Sequence, residues 1–465
     1  MSTVMNPTAT TAPDDRQEIL SALGRHWNPT AALMLAAASR PVEHESKNTE
    51  VTAEDGTRYL DLAGSYGVFL VGHGNPRVRD AVLDTLDSAP SIPPGTVHPA
   101  TADLFALLAT VLPESLDRYV LGCSGAEISE TALRAVHLAR PDRRKIVIAE
   151  GGYHGKTLGA LTLLGQPNHR EPFEPLGSEL VTVPYGDAAA VRKALADRSV
   201  AAVFLEPVLG GAHLTVPPKG YVRDVADACA ATGTLFVADE IQTCLGRTGT
   251  MFAVEHDGVV PDIMLFSKAL TGGFIPVGVC ALSSRVVADA ERHPNFHPSL
   301  LAGSSSVSAL SVAAAAAAVR EVVDGGLAER AARLGSRLRD GLEAAWRRHP
   351  KHLLGAPGIG FMTGLRTRNP SVELLISMTM AGHGIHTGHS LNEQIDHPVL
   401  RFYPPLTITE AEIDRVLAAL EATLAWLDHR PRRLTDSITW LLRRQYRLPT
   451  WLVLKLSHSR FQADW

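Results

Sequence analysis

Hydrophobic positions along this chain fall into two recurring patterns. Between about residues 57 and 284, short apolar or β-branched runs alternate with stretches of helical period, the order of an α/β fold with a mainly parallel sheet. Four runs, over 145–150, 200–206, 235–240 and 263–268, are almost continuously apolar, as strands covered on both faces should be. Residues 221–232 carry helical periodicity, and Gly233 is placed to cap that helix. An alanine-rich stretch over 306–323 predicts a tightly packed helix, and Asp324-Gly325-Gly326 leads into a second one over 327–348. After Pro357, strand-like pieces at 360–365 and 399–402 precede a final amphipathic helix over 409–427, for which Thr407 is read as the cap.

These patterns predict four parts. Residues 1–68 are too few for a core of their own and are expected to pack with a small domain. Residues 69–304 make the large domain, 305–428 the small α+β domain, and 429–465 a C-terminal extension. The extension is basic, rich in Leu and Trp, and broken by Pro431 and Pro449. It fits a helix lying on a membrane surface, and fits better a segment packed on its own subunit or a neighbour. Trp440, Leu441, Leu442 and Trp451 serve a core as readily as a lipid anchor.

Composition narrows the function classes. The longest apolar runs, 31–38 and 312–319, fall short of the roughly 20 residues a bilayer helix needs. Residues 1–15 are polar and lack the basic-then-apolar order of a secretory signal, so the cytoplasm is expected. A net charge of −5 gives no global field for nucleic acid. Cys123, Cys229, Cys244 and Cys280 are scattered and expected to be reduced, and the nineteen histidines include no H-E-x-x-H set, so no metal centre is expected. Small-molecule chemistry remains.

The buried runs end on polar residues, among them Glu206, Asp239 and Lys268. Ligands of parallel sheets sit beyond the carboxyl ends of the strands, so these three point to one pocket. Lys268 closes the apolar run Ile263-Met264-Leu265-Phe266-Ser267; desolvation there disfavours an ammonium and supplies a nucleophilic amine. Taken alone, it reads more commonly as a surface lysine after a strand. Asp239 suits a protonated ring nitrogen, as a pyridine cofactor needs, and suits equally a turn cap. Ser124-Gly125-Ala126-Glu127 opens a helix running to Arg140; it offers backbone N–H groups to a phosphate and also has capping-box spacing. Tyr153-His154-Gly155 places a ring near the same sheet edge, for stacking or for the core.

The combination resembles a family. Asp55-Gly56 with Tyr59-Leu60-Asp61, Gly72-His73 with Pro76, Ser124-Gly125-Ala126-Glu127, Tyr153-His154-Gly155, Glu206-Pro207, Asp239-Glu240-Ile241-Gln242-Thr243, Gly246-Arg247-Thr248-Gly249, Pro261-Asp262, Ser267-Lys268 and Arg401 with Pro404-Pro405-Leu406 are similar to class III (omega-type) aminotransferases over about 50–427. The resemblance implies pyridoxal 5′-phosphate (PLP) fold type I: a large domain with a mainly parallel seven-stranded sheet, a small domain built by both chain ends, and a homodimer with its sites at the interface. It implies that Lys268 is the Schiff-base lysine and proton shuttle, that Asp239 pairs with the pyridine nitrogen, and that Gln242 lies near the ring's phenolic oxygen. Gly125 and Ala126 would hold the phosphate, Tyr153 would stack on the ring, Glu206 would support the site, and Arg401 would receive a substrate carboxylate.

Three positions depart from the family pattern. Leu300 stands where a threonine that reaches the phosphate of the neighbouring subunit is usual, so either Ser299 or Ser304 substitutes or the phosphate has one partner fewer. Gly211 stands where ornithine- and GABA-type members carry a glutamate that covers the arginine. Lys156 follows the aromatic-His-Gly motif with no role assigned. The expected reaction is ping-pong transfer of an amino group, terminal on an amine, diamine or omega-amino acid, to a 2-oxo acid. Rival readings keep the cofactor: an aminomutase, racemase, decarboxylase or lyase, or a non-catalytic PLP-binding module.

Overall fold

Near the start of the described chain, β1 (Glu43–Lys47), β2 (Glu50–Ala53) and β3 (Arg58–Leu62) form an antiparallel meander. Its second turn is set by Asp55, whose carboxylate accepts the Thr57 N–H at 2.9 Å, and by Gly56 at φ +81°. The structure is a computed structural model that describes residues 16–28, 32, 43–88, 97–211, 213–302, 307–390 and 395–431. The expectations for 1–15, Ser304 and most of the extension, 432–465, lie outside these residues.

Seven strands build the main sheet: β4 (Arg118–Gly122), β5 (Lys145–Ala149), β6 (Glu179–Val183), β7 (Val200–Leu205), β8 (Leu235–Asp239), β9 (Ile263–Phe266) and β10 (Gly278–Leu282). Their order is β4-β10-β9-β8-β7-β5-β6, parallel from β9 to β6, with β10 antiparallel to both its neighbours. All residues of β7, β8, β9 and β10 are buried, which is why the sequence reads there as continuous apolar runs.

Helix α1 (Gly125–Ala139) covers one face, burying Ile128, Ala132, Leu133 and Val136 against Ile146, Ile148, Phe204 and Leu265. That spacing is the apolar stripe of an amphipathic helix. Helix α2 (Tyr221–Thr232) ends where left-handed Gly233, φ +70°, returns its N–H to the carbonyls of Ala230 and Cys229. Helix α3 (Ala309–Asp324) starts three residues later than its composition predicts, because Ser308 is the cap and accepts the Ser311 N–H at 3.1 Å. Helix α4 (Leu327–Arg348) follows through Gly326.

The C-terminal part adds β11 (Leu353–Gly355), β12 (Gly358–Ile359), β13 (Met362–Thr367), β14 (Ile385–Thr387) and β15 (Val399–Phe402). β15 pairs with β13, whereas β14 crosses to run parallel to β3, with Ile385 opposite Leu60. The amino-terminal meander and this later strand therefore share one sheet.

Helix α5 (Glu410–Asp428) corrects the reading of Thr407 as its cap. Thr409 is the cap: its hydroxyl accepts the Glu412 N–H at 3.2 Å, and the Glu412 carboxylate accepts the Thr409 N–H at 2.7 Å. Both threonines have a glutamate three residues on, but Glu410 is engaged by Arg333 at 2.7 Å, whereas Glu412 bonds back to Thr409, and that reciprocal bonding decides the start. The Thr407 hydroxyl instead donates to Asn48 at 2.7 Å, tying the helix entry to the first meander. Among the described residues, no helix is long and apolar enough to cross a membrane.

Candidate active site

Three neighbouring parallel strands end level with one another. Leu205 lies opposite Ala238, and Asp239 opposite Leu265, so Glu206, Asp239 and Lys268 emerge at one carboxyl edge. After β9 the chain turns within a single residue: Lys268 has φ +25° and opens a short 3-10 turn, Lys268–Thr271. Positive φ in a lysine carries strain and persists only where the surroundings hold it. Here the Ser267 hydroxyl donates to the Val277 carbonyl at 2.7 Å, and the Leu270 N–H to Ser267 O at 2.7 Å. Burial of the Lys268 ammonium outweighs the attraction of Glu206 and Asp239 and holds its pKa below the ordinary lysine value.

Asp239 is buried and doubly held. One oxygen lies 2.6 Å from His154 Nδ1, and the other accepts the Ile241 N–H at 3.0 Å. Burial works against a charge on His154, but the hydrogen bond and charge of Asp239, with Glu206 beyond, raise its pKa. Glu206 accepts the Tyr153 N–H at 2.9 Å and the Gly210 N–H at 3.0 Å. Burial first, moderated by His154, and then Asp239 push its carboxyl up to about 7. His154 sits inside a motif the sequence singled out, yet its partnership with Asp239, 85 positions away, had no local signal.

The N-terminus of α1 faces the same edge. Ser124 caps it, accepting the Glu127 N–H at 3.2 Å, while Glu127 reaches back to the Cys123 N–H at 2.5 Å. Ser124 is therefore the cap, but the capping box is not closed, since Glu127 reaches the residue before the cap; the anion reading stays intact, because the first N–H groups of a helix have no acceptor within it. Gly155, at φ +127°, packs so closely that a Cβ there would stand 2.6 Å from Ala126 Cβ; a Cβ on Gly125 would meet Ile241 at 3.0 Å. Gly125 and Ala126 are thus wedged beside the neighbours of His154 and Asp239. A helix N-terminus, a buried acid and a desolvated lysine around one strand edge match the phosphate, the ring nitrogen and the aldehyde of PLP.

Gln242 donates to the Tyr66 carbonyl at 3.2 Å and accepts the Gly211 N–H at 3.3 Å. Gly210 has to be glycine for this, since a Cβ would fall 1.9 Å from the Gln242 Oε1. Arg401, on β15, is buried; it donates to Ser390 Oγ at 2.8 Å and to the His389 carbonyl. Tyr66 lies with its ring centre 4.6 Å from the Arg401 guanidinium and 6.0 Å from Lys268 Nζ. Tyr66 and Arg401 line a cavity of about 320 Å³. Tyr66 went unread in the sequence, and its flanking glycines, Gly64 and Gly67, were the one available sign of an unusual backbone.

Tyr153 is 53% exposed at the rim, with Lys156 Nζ 5.9 Å from its ring centre. Leu300 ends a short turn, Pro298–Leu300, and is itself 40% exposed. Ser299 is engaged locally, its hydroxyl 2.7 Å from His297 Nδ1.

The model of the family "Aminotransferase class-III" matches residues 36–424. The chain is 33% identical over 437 residues to a putrescine aminotransferase of Pectobacterium atrosepticum, covering 90% of this chain and 92% of the relative. It is 37% identical over 383 residues to an acetylornithine aminotransferase of Mycolicibacterium smegmatis, covering 80% of this chain and 91% of that one. A solved ornithine aminotransferase from Toxoplasma gondii, described with partial occupancy of PLP at its active site, superposes with a TM-score of 0.75 at 27% identity, over 83% of this chain and 91% of that one. The chain belongs to the class III aminotransferase family, with fold type I architecture, and is a PLP-dependent transaminase.

Proposed function

We propose that this enzyme moves a terminal amino group from an amine, diamine or omega-amino acid to a 2-oxo acid in two half-reactions at the edge of β7, β8 and β9. The observation that carries the reading is the convergence of Lys268, with its lowered pKa, and the Asp239–His154 pair on that edge. Lys268 would hold the cofactor through its aldehyde carbon. Gly125 and Ala126 would bind its phosphate, Tyr153 would stack on its ring, Gln242 would lie by its phenolic oxygen, and Asp239 would pair with its ring nitrogen. When bound, PLP supplies an electron-accepting ring that spreads the negative charge formed beside the transferred nitrogen.

The rest is the work of side chains. Lys268 Nζ would take the proton from the carbon bearing the amino group and, in the second half-reaction, return a proton to the acceptor's carbon. Its lowered pKa leaves more of the neutral amine for that task. His154 keeps Asp239 oriented from behind. Arg401, its plane fixed by Ser390 and His389, receives the acceptor's carboxylate as a bidentate pair.

Two things support terminal amines: the putrescine and acetylornithine aminotransferases among the relatives, and Gly211 where a covering glutamate is usual. We place the enzyme in the cytoplasm as a homodimer. Residues 1–68 and 305–428 act as the small domain, and 69–304 as the cofactor-binding one.

The test is a donor screen on the purified holoenzyme, following conversion of the bound cofactor to its amine form. Putrescine, 4-aminobutyrate and monoamines should convert it, and 2-oxoglutarate or pyruvate should restore it. Conversion by alpha-amino acids alone would reverse the substrate reading. Turnover without any 2-oxo acid would replace transamination by another PLP reaction.

A further inference from the structure

We propose that Asp61 is a positioning residue for carboxylate recognition, acting through the turn that lays Tyr66 on Arg401. The inference rests on the reading of Arg401 as the carboxylate receiver. Asp61, on β3, is only 3% exposed. One oxygen accepts the N–H groups of Ala63 at 2.9 Å and Gly64 at 3.2 Å, and the other lies 2.8 Å from His73 Nε2. His386, on the adjoining β14, brings Nδ1 to 3.3 Å. Burial by itself would raise the Asp61 carboxyl, but the two histidines overcome it and hold the group well below the usual carboxylate range. The N–H groups that begin the next turn therefore meet a full negative charge.

That turn is unusual. Ser65 (φ 46°, ψ 49°) and Tyr66 (φ 59°, ψ 28°) both adopt left-handed backbone, which two successive non-glycine residues do only when held on each side. Asp61 holds the entry. Gln242, bonded to the Tyr66 carbonyl, holds the exit. Gly64 permits the close approach, since a Cβ there would lie 2.3 Å from the Tyr403 carbonyl oxygen. The product is a ring set 4.6 Å over the Arg401 guanidinium. Asp61, Ser65, Tyr66, His386 and Arg401 all line the cavity of about 320 Å³, together with Glu43.

A ring on the face of a guanidinium keeps water from that face and leaves the edge to meet a carboxylate in the plane. An ion pair in a drier setting is stronger. Release of the turn would let the ring swing off and water in, and the preference for acceptors that bear a carboxylate would fall.

The test uses the full-length protein and glutarate, an unreactive dicarboxylate. Its dissociation constant from the PLP-loaded enzyme is measured by calorimetry for wild type, Asp61→Asn, Tyr66→Leu, Tyr66→Phe and Arg401→Gln. In parallel, protein loaded with pyridoxamine phosphate is reacted with 2-oxoglutarate and with butanal, which carries no carboxylate; no donor is needed. Asp61→Asn and Tyr66→Leu should each weaken glutarate about tenfold and lower the 2-oxoglutarate-over-butanal preference by a similar factor, the scale of a desolvated cation–π contact. Tyr66→Phe, which restores the ring, should recover most of what Tyr66→Leu loses. If Asp61→Asn does not fold, Tyr66→Leu, on an exposed turn, decides.

Wild-type glutarate affinity in Asp61→Asn and Tyr66→Leu, with a loss in Arg401→Gln, overturns the proposal and spares the reading of Arg401. Wild-type affinity in Arg401→Gln as well removes both. Equal losses toward 2-oxoglutarate and butanal indicate general damage to the site and also overturn the proposal.

Discussion

His154 Nδ1 lies 2.6 Å from Asp239, and neither side chain is more than 2% exposed. A buried charge needs a partner, and here each member supplies the other's. The aspartate is thereby fixed in orientation at the carboxyl end of β8. The imidazole ring also meets Phe204 of β7 edge-on, with centroids 6.1 Å apart, which fixes its plane.

Replacing His154 by Asn should lower kcat roughly tenfold to hundredfold, because a hydrogen bond to a charged group contributes roughly 1.5–3 kcal/mol and each 1.4 is a factor of ten. The pH profile should change as well. The folded-state pKa of His154 is raised above 6.5, so its stabilising charge is fully present below pH 6.5 and is lost as pH rises through the higher folded value. Wild-type activity should fall along that alkaline limb, and the variant should lack the limb. kcat measured against pH checks both.

Gly155→Ala should damage cofactor binding. A Cβ would stand 2.6 Å from Ala126 Cβ on a residue at φ +127°, so strain and overpacking act together and should cost roughly 2–4 kcal/mol. The push falls on the first turn of α1. PLP affinity, read by titrating the apoprotein, should drop more than tenfold; an unchanged affinity would remove Ala126 from the phosphate site.

Glu240 makes a prediction about stability rather than catalysis. It is buried and accepts the Thr243 hydroxyl and the N–H groups of Ala253 at 3.0 Å and Val254 at 2.8 Å. Burial nonetheless pushes its carboxyl up from 4.5 to about 7. A folded pKa above the unfolded one means that stability from this group is whole below pH 4.5 and declines as pH rises to about 7. Glu240→Gln abolishes that titration, so its stability relative to wild type should improve between pH 5 and pH 8 by up to roughly 3 kcal/mol. Urea unfolding at both pH values measures it.

Much of the fold was legible because its strands are buried on both faces. β7, β8 and β9 announce themselves as unbroken apolar runs, and α2 by its period and Gly233. The convergence of Glu206, Asp239 and Lys268 followed from that reading, since residues that end adjacent parallel strands must share an edge. What stayed hidden depended on distant partners. Asp61 waits on His73 and on His386, which reaches it through the β3–β14 pairing. Tyr66 meets Arg401 only after the chain ends come together. The misplaced cap of α5 has a simpler cause: Thr407 and Thr409 are equally good residue types with a glutamate at the same spacing, and only distant partners separate them, since Thr407 is drawn to Asn48 and Glu410 to Arg333 while Glu412 closes on Thr409.

The central claim is that Lys268 carries the cofactor, and one measurement addresses it directly. Holoenzyme reduced with borohydride, digested and mapped by mass spectrometry should show the reduced cofactor on the peptide containing Lys268, and a Lys268→Ala protein should show none. An adduct on another lysine of the wild-type enzyme, or a borohydride-stable adduct in the Lys268→Ala protein, would contradict the account.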